Sequence, residues 1–495
     1  MHAQTFGDAS SFEGELRGSI NQGDDAGRTT DNLDLSSTDG QRAQLLGSSA
    51  DRDENAGDVV TPQQRPGRPV PLPLSPRVQQ RAQSVGPAAQ VGVSNTSTVT
   101  TASSNNAADP VQSGAGVFEE ADPFAATGFR LGVFEADLSL EQSIGYSSNV
   151  SESADGESGG FSQTEVDLGL TSNWSRHELR FGINGSYRRP FDSDEVDTPQ
   201  LSANTALRLD LRDGITLTTS GFYNTQTQEF TSTLLAPGAV DTPQTRNYGG
   251  SIELQRADRK LQFTLRGEID RDEFEDASLG GSLFVPQDDL NNTEYGLSLR
   301  VGYEVSPAIT PFAETRYAIR DFDRATDRNG DQRDSTSDEL LGGVEIDMGD
   351  KAQGELAVGY ITQEFDDPSL ASLDGFTLNG TLNWSPERDT TVGLTLGTET
   401  NTSISTGDSG SIIYNAGLTV ERQITDRWQV NGNLSYQLET NDDRNRRFEA
   451  GIGTQYWLNR YLAFTANGEF VSFSTDAANS DFDAFSIRTG IRLQR

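Results

Sequence analysis

Apolar and polar residues alternate at every second position along most of this chain, from Phe129 to the C-terminus. Residues 165–171 read EVDLGLT, for example, and residues 376–384 read FTLNGTLNW. Successive side chains of a β-strand point to opposite faces, so a period of two indicates strands rather than helices. The pattern therefore predicts an all-β fold in which each strand has one apolar and one polar face.

Eighteen such segments follow one another, the first over Phe134–Tyr146 and the last over Asp483–Gln494. Eight short turns alternate with nine longer loops rich in Gly, Ser and Asp, one of them over 270–290. An even strand number with short turns on one side and long loops on the other is typical of outer-membrane barrels. We therefore predict a transmembrane antiparallel up-and-down β-barrel of about 18 strands over residues 129–495, closed because hydrocarbon offers no partner to unpaired backbone groups.

Two soluble folds compete with this interpretation. A β-sandwich core needs apolar inward faces, whereas the second face of these strands carries Asn, Thr, Glu and Arg. A β-propeller has blades of roughly 40–45 residues, which overlaps the hairpin repeat, but 18 strands do not divide into four-stranded blades. A barrel with lipid outside and water inside explains both faces.

Residues 1–128 differ sharply from the rest of the chain. They hold 9 of the 18 prolines but only 4 of the 40 aromatic residues, too little apolar surface to offset the entropy of ordering. We expect a disordered periplasmic segment rich in Pro, Ser and Asp that could reach a periplasmic partner. Residues 1–3 look like the remnant of a secretory signal peptide.

Composition excludes several classes of function. Hydrophobic residues make up 33% of the chain, and no apolar stretch is long enough for a spanning helix. The absence of cysteine and the presence of only two histidines leave little for metal binding or nucleophilic catalysis, so we expect no enzyme activity and no cofactor. A net charge of −37 argues against nucleic-acid binding, which needs clustered Lys and Arg.

The polar faces of the strands predict a charged lumen. Strand parity places these acids inside: Glu135, Asp137, Glu141, Glu165, Asp167, Glu178, Asp210, Glu253, Glu268, Glu294, Glu304, Glu314, Glu339, Glu345, Asp347, Glu355, Glu399, Glu421, Glu449 and Glu469. It places these bases inside: Arg180, Arg188, Arg208, Arg266, Arg300, Arg316, Arg320, Arg488 and Arg492. An 18-strand barrel holds water, and carboxylate rings disfavour anions, so an acidic, cation-favouring pore is expected. The alternative is a solvated wall of cross-strand ion pairs without selectivity.

Closure of the barrel makes a specific pairing prediction. The last strand must run antiparallel to the first, which sets Arg488 and Arg492 near Asp137 and Glu141 on the lumen side. Opposite charges on neighbouring strands stabilise such a contact by roughly 0.2–1 kcal/mol.

All four tryptophans lie beside predicted short turns, namely Trp174, Trp384, Trp428 and Trp457. Three of them share the apolar parity of their strand, and Trp457 does not. Indole rings favour the boundary between lipid and water because they combine an apolar body with a hydrogen-bond donor. We therefore interpret the four residues as an aromatic girdle on one rim.

One loop contains a weak candidate for a calcium site. Asp327, Asn329 and Asp331 offer oxygen atoms at alternate positions of a turn, the spacing found in calcium loops. However, Gln332 stands where such loops need glycine, and strands flank the segment. A solvated acidic loop without a metal is the preferred interpretation.

Residues 129–495 resemble bacterial outer-membrane proteins of the putative β-barrel porin 2 type. The resemblance depends on the strand pattern, on Tyr-Gly strands such as Tyr295-Gly296-Leu297, and on the C-terminal segment 488–495, which reads RTGIRLQR. It implies a porin-like barrel in the outer membrane of a Gram-negative bacterium, in contact with lipid, lipopolysaccharide and the barrel-assembly machinery. Some members are similar to proteins associated with the production or export of surface polysaccharide.

Three functions remain open at this point. The first is a porin-like channel with an acidic, water-filled lumen that serves small-solute diffusion or export of surface polysaccharide. The second is a structural or adhesin-like barrel without transport. The third is an autotransporter-like translocator with 1–128 as its passenger, although residues 114–128 lack the helical period expected of a segment threaded through the pore.

Overall fold

The computed structural model describes residues 124 and 126–495, except for short gaps at 192–196, 213, 229–231, 233, 236–238, 240–241, 259, 281–282, 404, 406, 441–443 and 477–479. The disordered periplasmic segment was expected over 1–128 with a signal remnant at 1–3, and of that range residues 1–123 and 125 lie outside the described residues. The carbonyl of Phe124 accepts from the Gln494 side chain at 2.7 Å. No helix among the described residues is long and apolar enough to cross a membrane.

Eighteen long strands form the wall of the molecule. They are β1 (Phe134–Ser147), β2 (Gly159–Ser172), β3 (His177–Pro190), β4 (Thr198–Asp210), β5 (Ile215–Thr227), β6 (Gln244–Asp258), β7 (Leu261–Phe274), β8 (Asn292–Tyr303), β9 (Ile309–Phe322), β10 (Ser335–Asp347), β11 (Ala352–Phe365), β12 (Leu373–Trp384), β13 (Thr390–Asn401), β14 (Ser411–Thr425), β15 (Trp428–Glu439), β16 (Arg446–Asn459), β17 (Leu462–Ser474) and β18 (Phe482–Gln494).

Each strand pairs antiparallel with the next strand along the chain, and β18 returns to pair with β1. The closing ladder runs from Ser139 opposite Gln494 to Ser147 opposite Ser486. Closure removes the two free edges that an open sheet would expose. The predicted antiparallel barrel of 18 strands is confirmed.

The two faces of the wall differ as the alternation requires. On β1, Leu140 and Ile144 are exposed on the outside, while Glu141 and Ser143 are buried on the inside. The same division holds around the barrel, whose outward face carries a long series of exposed Leu, Ile, Val, Phe and Tyr side chains. Such a surface is stable only where lipid replaces water.

The strands are 12 to 15 residues long, longer than the segments of about ten residues expected from the sequence. Crossing the hydrocarbon takes only about 9–11 residues, so each strand continues beyond it. β7 extends to Phe274, into the loop expected over 270–290, and the remainder of that loop contains a small hairpin of Ala277–Gly280 with Leu283–Val285. A short strand at Phe129–Leu131 pairs with the start of β1, and Gly349–Lys351 forms one 3₁₀ turn.

One ladder is shorter than the others. β12 and β13 pair only from Gly380 opposite Leu396 to Trp384 opposite Val392, next to their short turn. On their other sides both strands remain paired much further, β12 with β11 from Leu373 and β13 with β14 to Asn401. The part of the β12–β13 boundary that is nearer the long loops therefore lacks a backbone ladder.

Candidate functional site: the lumen and its mouth

The polar face of every strand points into the barrel, and the charged residues predicted for the lumen lie on it. Register places Glu165, Asp167, Arg180, Arg208, Asp210, Glu294, Arg300, Glu345 and Asp347 on this face, and Glu304 directly after β8. The structure adds inward carboxylates that the sequence interpretation had assigned to loops, Asp270 and Asp272 on β7 and Glu439 on β15. It also adds one base, Arg447 on β16.

The closing strands meet on the lumen side, with Glu141 directly opposite Arg492. Yet the ion pairs of the two arginines are formed with β2, one strand beyond β1. The Arg488 guanidinium donates to Glu165, and Nη2 of Arg492 lies 3.8 Å from Oδ2 of Asp167. Arginine side chains are long enough to pass over the intervening strand, where Gly145, which has no side chain, stands opposite Arg488.

Asp137, which was expected near these arginines, lies outside the closing ladder, because that ladder begins at Ser139. Ser139, the first residue of that ladder, instead contacts both Arg492 and Asp167. Its hydroxyl accepts from Nη2 of Arg492 at 3.0 Å and donates to Oδ2 of Asp167 at 2.8 Å.

The inward face of β7–β11, which we call the charged wall, carries a network of arginines and carboxylates. Arg300 donates to Glu314 at 2.6 Å and to Glu355 at 2.7 Å. Arg316 donates from Nε to Glu268 at 2.7 Å and from Nη2 to Glu294 at 2.5 Å. Charge-assisted bonds of this kind are about twice as strong as neutral ones. The network connects strands that are not neighbours in the ladder, because Arg300 on β8 reaches Glu355 on β11 and Arg316 on β9 reaches Glu268 on β7.

Two further arginines complete the network. Arg320 donates to Glu294 at 2.7 Å, and Nε of Arg266 lies 3.4 Å from Glu268. Every arginine on the inward face of β7–β9 is thus paired with a carboxylate. Five neighbouring acids form no ion pair within the described part of the chain: Glu253, Asp270, Asp272, Glu339 and Glu345.

The inward face of β12–β15, which we call the amide wall, has a different chemistry. It carries Asn379, Thr381, Asn383, Thr395, Asn415, Asn431, Asn433, Ser435 and Gln437 and no Arg or Lys. Its carboxylates accept hydrogen bonds from neutral groups: Glu399 from Asn415 at 3.1 Å, Glu421 from Gln429, and Glu439 from Ser411 at 2.7 Å. Neutral amides and hydroxyls are thus among the partners of each of these carboxylates.

A cavity of about 140 Å³ lies inside the long-loop end of the barrel, which we call the mouth. Its lining comes from β5–β9 on one side and from β13–β17 on the other, so opposite walls approach each other there. Apolar and polar groups contribute together: Leu234, Phe274, Leu290, Ile413 and Phe473 with Asn224, Asn247, Asn292, Asn401, Gln437, Glu399, Glu439, Arg320 and Arg447.

The first long loop folds inward and narrows the mouth further. Glu152 has a left-handed backbone with φ of 51°, a conformation that costs a non-glycine residue of order 1 kcal/mol or more. Its carboxylate lies 2.5 Å from Nη2 of Arg447 on β16 and 3.7 Å from Nη1 of Arg188 on β3. These ion pairs hold the loop over the closing strands, because β3 and β16 flank those strands on either side.

The candidate calcium loop contains its own cation. The side chain of Arg333 is buried, and it donates to Asp327 at 2.7 Å and lies 3.5 Å from Asp331. The same guanidinium donates to the carbonyl oxygens of Asp408 at 2.7 Å and Ser405 at 3.0 Å, in the loop between β13 and β14. The carboxylates proposed for calcium thus bind an arginine that connects two loops over the mouth, and the described residues contain no cluster of three potential metal ligands.

A second connection joins the loop before β8 to the loop after β9. Arg328 donates to Asp289 through its backbone N–H at 3.0 Å and through Nη2 at 2.7 Å. Burial disfavours the charged form of Asp289, but these hydrogen bonds outweigh it and hold the pKa of the carboxyl below its ordinary value.

Three of the four tryptophans are exposed on the outward side near the short turns, namely Trp174, Trp384 and Trp428. Trp428 has the mixed environment expected of a girdle residue, because its Nε1 donates to Thr454 at 2.7 Å. The assignment of Trp457 to the girdle is wrong. Trp457 points inward and is only 6% exposed, opposite Ala463, as its unusual parity in the strand already indicated.

Comparison with known proteins gives one family. A model of the family described as putative beta-barrel porin 2 matches residues 122–495. No curated protein sequence matches the chain.

Solved structures with a similar fold include a ferric enterobactin receptor of Pseudomonas aeruginosa, with 10% identity and a TM-score of 0.38 over 73% of this chain and 80% of that chain. The copper transporter OprC has 10% identity and a TM-score of 0.42 over 74% and 81% of the two chains. The FrpB iron transporter of Neisseria meningitidis has 8% identity and a TM-score of 0.35 over 74% and 82%. At such values the similarity carries no information about what the barrel transports.

Proposed function

Because the chain belongs to the putative beta-barrel porin 2 family and forms a barrel of the outer membrane, we propose that it conducts small cationic and neutral solutes through an acidic lumen. The observation that carries this proposal is the imbalance of charge inside the barrel. The arginines of the charged wall all form ion pairs, while Glu345 and four neighbouring carboxylates have no guanidinium within ion-pair distance among the described residues. A permeating cation is attracted by these carboxylates, and an anion meets no available guanidinium on the amide wall.

The amide wall supports the neutral part of the proposal. Asn, Gln, Ser and Thr side chains both donate and accept hydrogen bonds, which suits solutes that carry several hydroxyl groups. Such a surface exchanges hydrogen bonds with water and sugar at similar cost, so it allows passage rather than tight binding. Export of surface polysaccharide is the second candidate function, and this hydroxyl-compatible wall is the observation that favours it.

The proposal is tested with the refolded full-length chain in planar bilayers. In a potassium chloride gradient, we expect open channels whose reversal potential has the sign of cation selectivity. A reversal potential of the opposite sign would refute the acidic filter, and a barrel without conductance would favour a structural or adhesin-like role.

Liposome swelling separates the two candidate solute classes. Swelling in neutral monosaccharides and disaccharides is expected for a diffusion channel. Exclusion of these sugars, together with block of the potassium current by longer oligosaccharides, would instead support a polysaccharide path.

A further inference from the structure

A row of three inward side chains at the mouth contains two amide oxygens without a donor. Asn247 on β6 and Asn292 on β8 both lie directly opposite Asp272 on β7, and all three line the mouth cavity. We call these three residues the mouth row. The asparagines are only 8% and 7% exposed, yet neither Oδ1 accepts a hydrogen bond within the described part of the chain. Buried amide oxygens normally have a donor, so the row indicates a place for a ligand that supplies one.

The orientation of both amides is fixed by the groups that their NH₂ ends bind. Nδ2 of Asn247 donates to Oδ1 of Asp272 at 2.7 Å. The Asn292 side chain donates to the Leu290 carbonyl at 3.0 Å and to Asp272. A carboxylate and a backbone carbonyl only accept, so neither amide can be turned around without the loss of its bond. The unpartnered atoms are therefore carbonyl oxygens, and a ligand of this row must bring hydrogen-bond donors.

The charges around the cavity argue against an ionic ligand. Three arginines line it, Arg246, Arg320 and Arg447, together with four carboxylates. Each of these arginines forms an ion pair, as Arg320 does with Glu294 at 2.7 Å. An anion would meet the amide oxygens and the carboxylates, whereas a cation would meet the guanidiniums. A ligand that is rich in donors and carries no net charge fits both sets of groups.

Apolar surface lies directly beside the mouth row. Phe274 occupies the next inward position of β7 after Asp272, and Leu290 precedes β8; both line the cavity. Phe473 and Ile413 add apolar surface from the opposite wall. Ligand cavities commonly combine apolar walls with a few placed polar groups that fix the orientation of the ligand. A pyranose has the matching character, because its hydroxyls project from a ring whose faces carry C–H groups.

We propose that the mouth cavity is a binding site for a neutral sugar. Sugar hydroxyls donate to the carbonyl oxygens of Asn247 and Asn292, and a C–H face of the ring lies against Phe274. A hydroxyl also accepts, so the arginines that line the cavity bind the same ligand without a counter-charge. The site deepens the proposed passage of neutral solutes and rests on it, because such a solute passes between the two walls at the mouth.

The test is saturation-transfer NMR on the full-length barrel in lipid nanodiscs. The probes are three neutral sugars, the methyl glycosides of glucose, galactose and mannose, with glucosamine as the cationic and glucuronate as the anionic counterpart. We expect saturable transfer to at least one neutral glycoside and no tighter binding of either charged sugar. Absence of saturable transfer to all three glycosides would overturn the site, and tighter binding of a charged sugar would overturn its assignment to neutral ligands.

Asn247→Leu tests whether an amide oxygen of the mouth row carries the binding. The matched control is Asn184→Leu, because Asn184 also donates to a carboxylate of the neighbouring strand, Asp167 at 2.7 Å, but is not among the residues that line the cavity. We expect the affinity for the glycoside to fall roughly 2–10-fold in the first variant, the effect of one neutral hydrogen bond, and to stay unchanged in the second. Equal affinities in the two variants would overturn the role of the row.

Phe274→Leu tests the site even where the asparagine variant does not fold. It keeps the position apolar and removes the ring, so we expect weaker binding, and full affinity would contradict a ring beside the sugar. Heat-dependent electrophoretic mobility reports the folding of each variant. A barrel that conducts cations but binds no glycoside refutes the site alone, whereas glycoside binding without conductance refutes the channel alone.

Discussion

The charged wall and the amide wall lie side by side in one barrel and hold their carboxylates in opposite ways. On the charged wall, Arg300 and Arg316 bind two carboxylates each and connect strands beyond their ladder neighbours. On the amide wall, Glu399 accepts from the Asn415 amide and Glu439 from the Ser411 hydroxyl, and beside Glu399 the β12–β13 ladder ends early. The comparison separates two roles of inward polar residues: guanidiniums connect strands through ion pairs, whereas amides and hydroxyls bind carboxylates without adding a positive charge, in a part of the wall where one backbone ladder is shorter.

The largest effect should come from Arg316, whose side chain is only 6% exposed between Glu268 and Glu294. Arg316→Met removes one of two cations from each of two buried carboxylates, so that Glu268 keeps only Arg266 and Glu294 only Arg320. Removal of one partner from a buried ion pair costs about 3–5 kcal/mol, and the remaining arginines place the expected loss at the lower end of that range. Chemical denaturation of the refolded barrel measures the loss.

Arg180→Met is the control, because the pair of Arg180 and Glu178 is more than a third exposed. Solvent screening limits an exposed pair to about 0–1 kcal/mol. Equal losses of unfolding free energy in the two variants would contradict a charged wall that stabilises the barrel more than other ion pairs of the lumen do.

A smaller effect is expected where the β12–β13 ladder is missing and the Thr398 hydroxyl binds the backbone N–H and carbonyl of Leu378. Thr398→Val removes hydrogen bonds worth about 0.5–1.5 kcal/mol each, and the cost is confined to the outer part of β12 and β13. Amide hydrogen exchange at Leu378 should accelerate, while exchange at Val358 in the neighbouring intact ladder should not. Acceleration at both positions would indicate global destabilisation instead of a local effect at the short ladder.

The smallest effect concerns pH at the loops above the charged wall. The folded pKa of Asp289 lies below its ordinary value, so its bond with Arg328 contributes fully above the unfolded pKa of about 4 and is lost as pH falls through the folded value. Hydrogen exchange around Arg328 should be constant from pH 7 to pH 5 after correction for intrinsic rates and should rise below about 4. Asp289→Asn should abolish this dependence, and an unchanged acid transition in that variant would assign it to another group.

Much of the architecture follows from the period of two, because one residue of register decides which face a side chain occupies. The same rule predicts the inward position of Trp457, and parity in the strand is here a better guide than proximity to a short turn. Asp270 and Asp272 were missed because an acidic segment resembles a loop, although the inward period of β7 continues through it.

Other contacts could not be read from the order of residues. Arg316 reaches Glu268 two strands away because of the geometry of the closed wall, and Arg333 binds Asp327 of its own loop and the Asp408 carbonyl of another because two loops pack together. The left-handed backbone of Glu152 and its two arginine partners likewise depend on the assembled barrel. The alternation of the sequence specifies which face of the wall a side chain occupies, whereas closure of the barrel determines which side chains come within bonding distance.

The proposed cation selectivity is tested most directly by the change in reversal potential when carboxylates without guanidinium partners are replaced by amides. Glu345→Gln with Glu421→Gln removes one such carboxylate from each wall. Glu364→Gln with Asp374→Asn removes the same charge from exposed positions on the outward parity of β11 and β12. In a potassium chloride gradient, the lumen variant should lose cation selectivity while the outward variant keeps it. Equal selectivity in the two variants would contradict a cation preference set by carboxylates of the lumen.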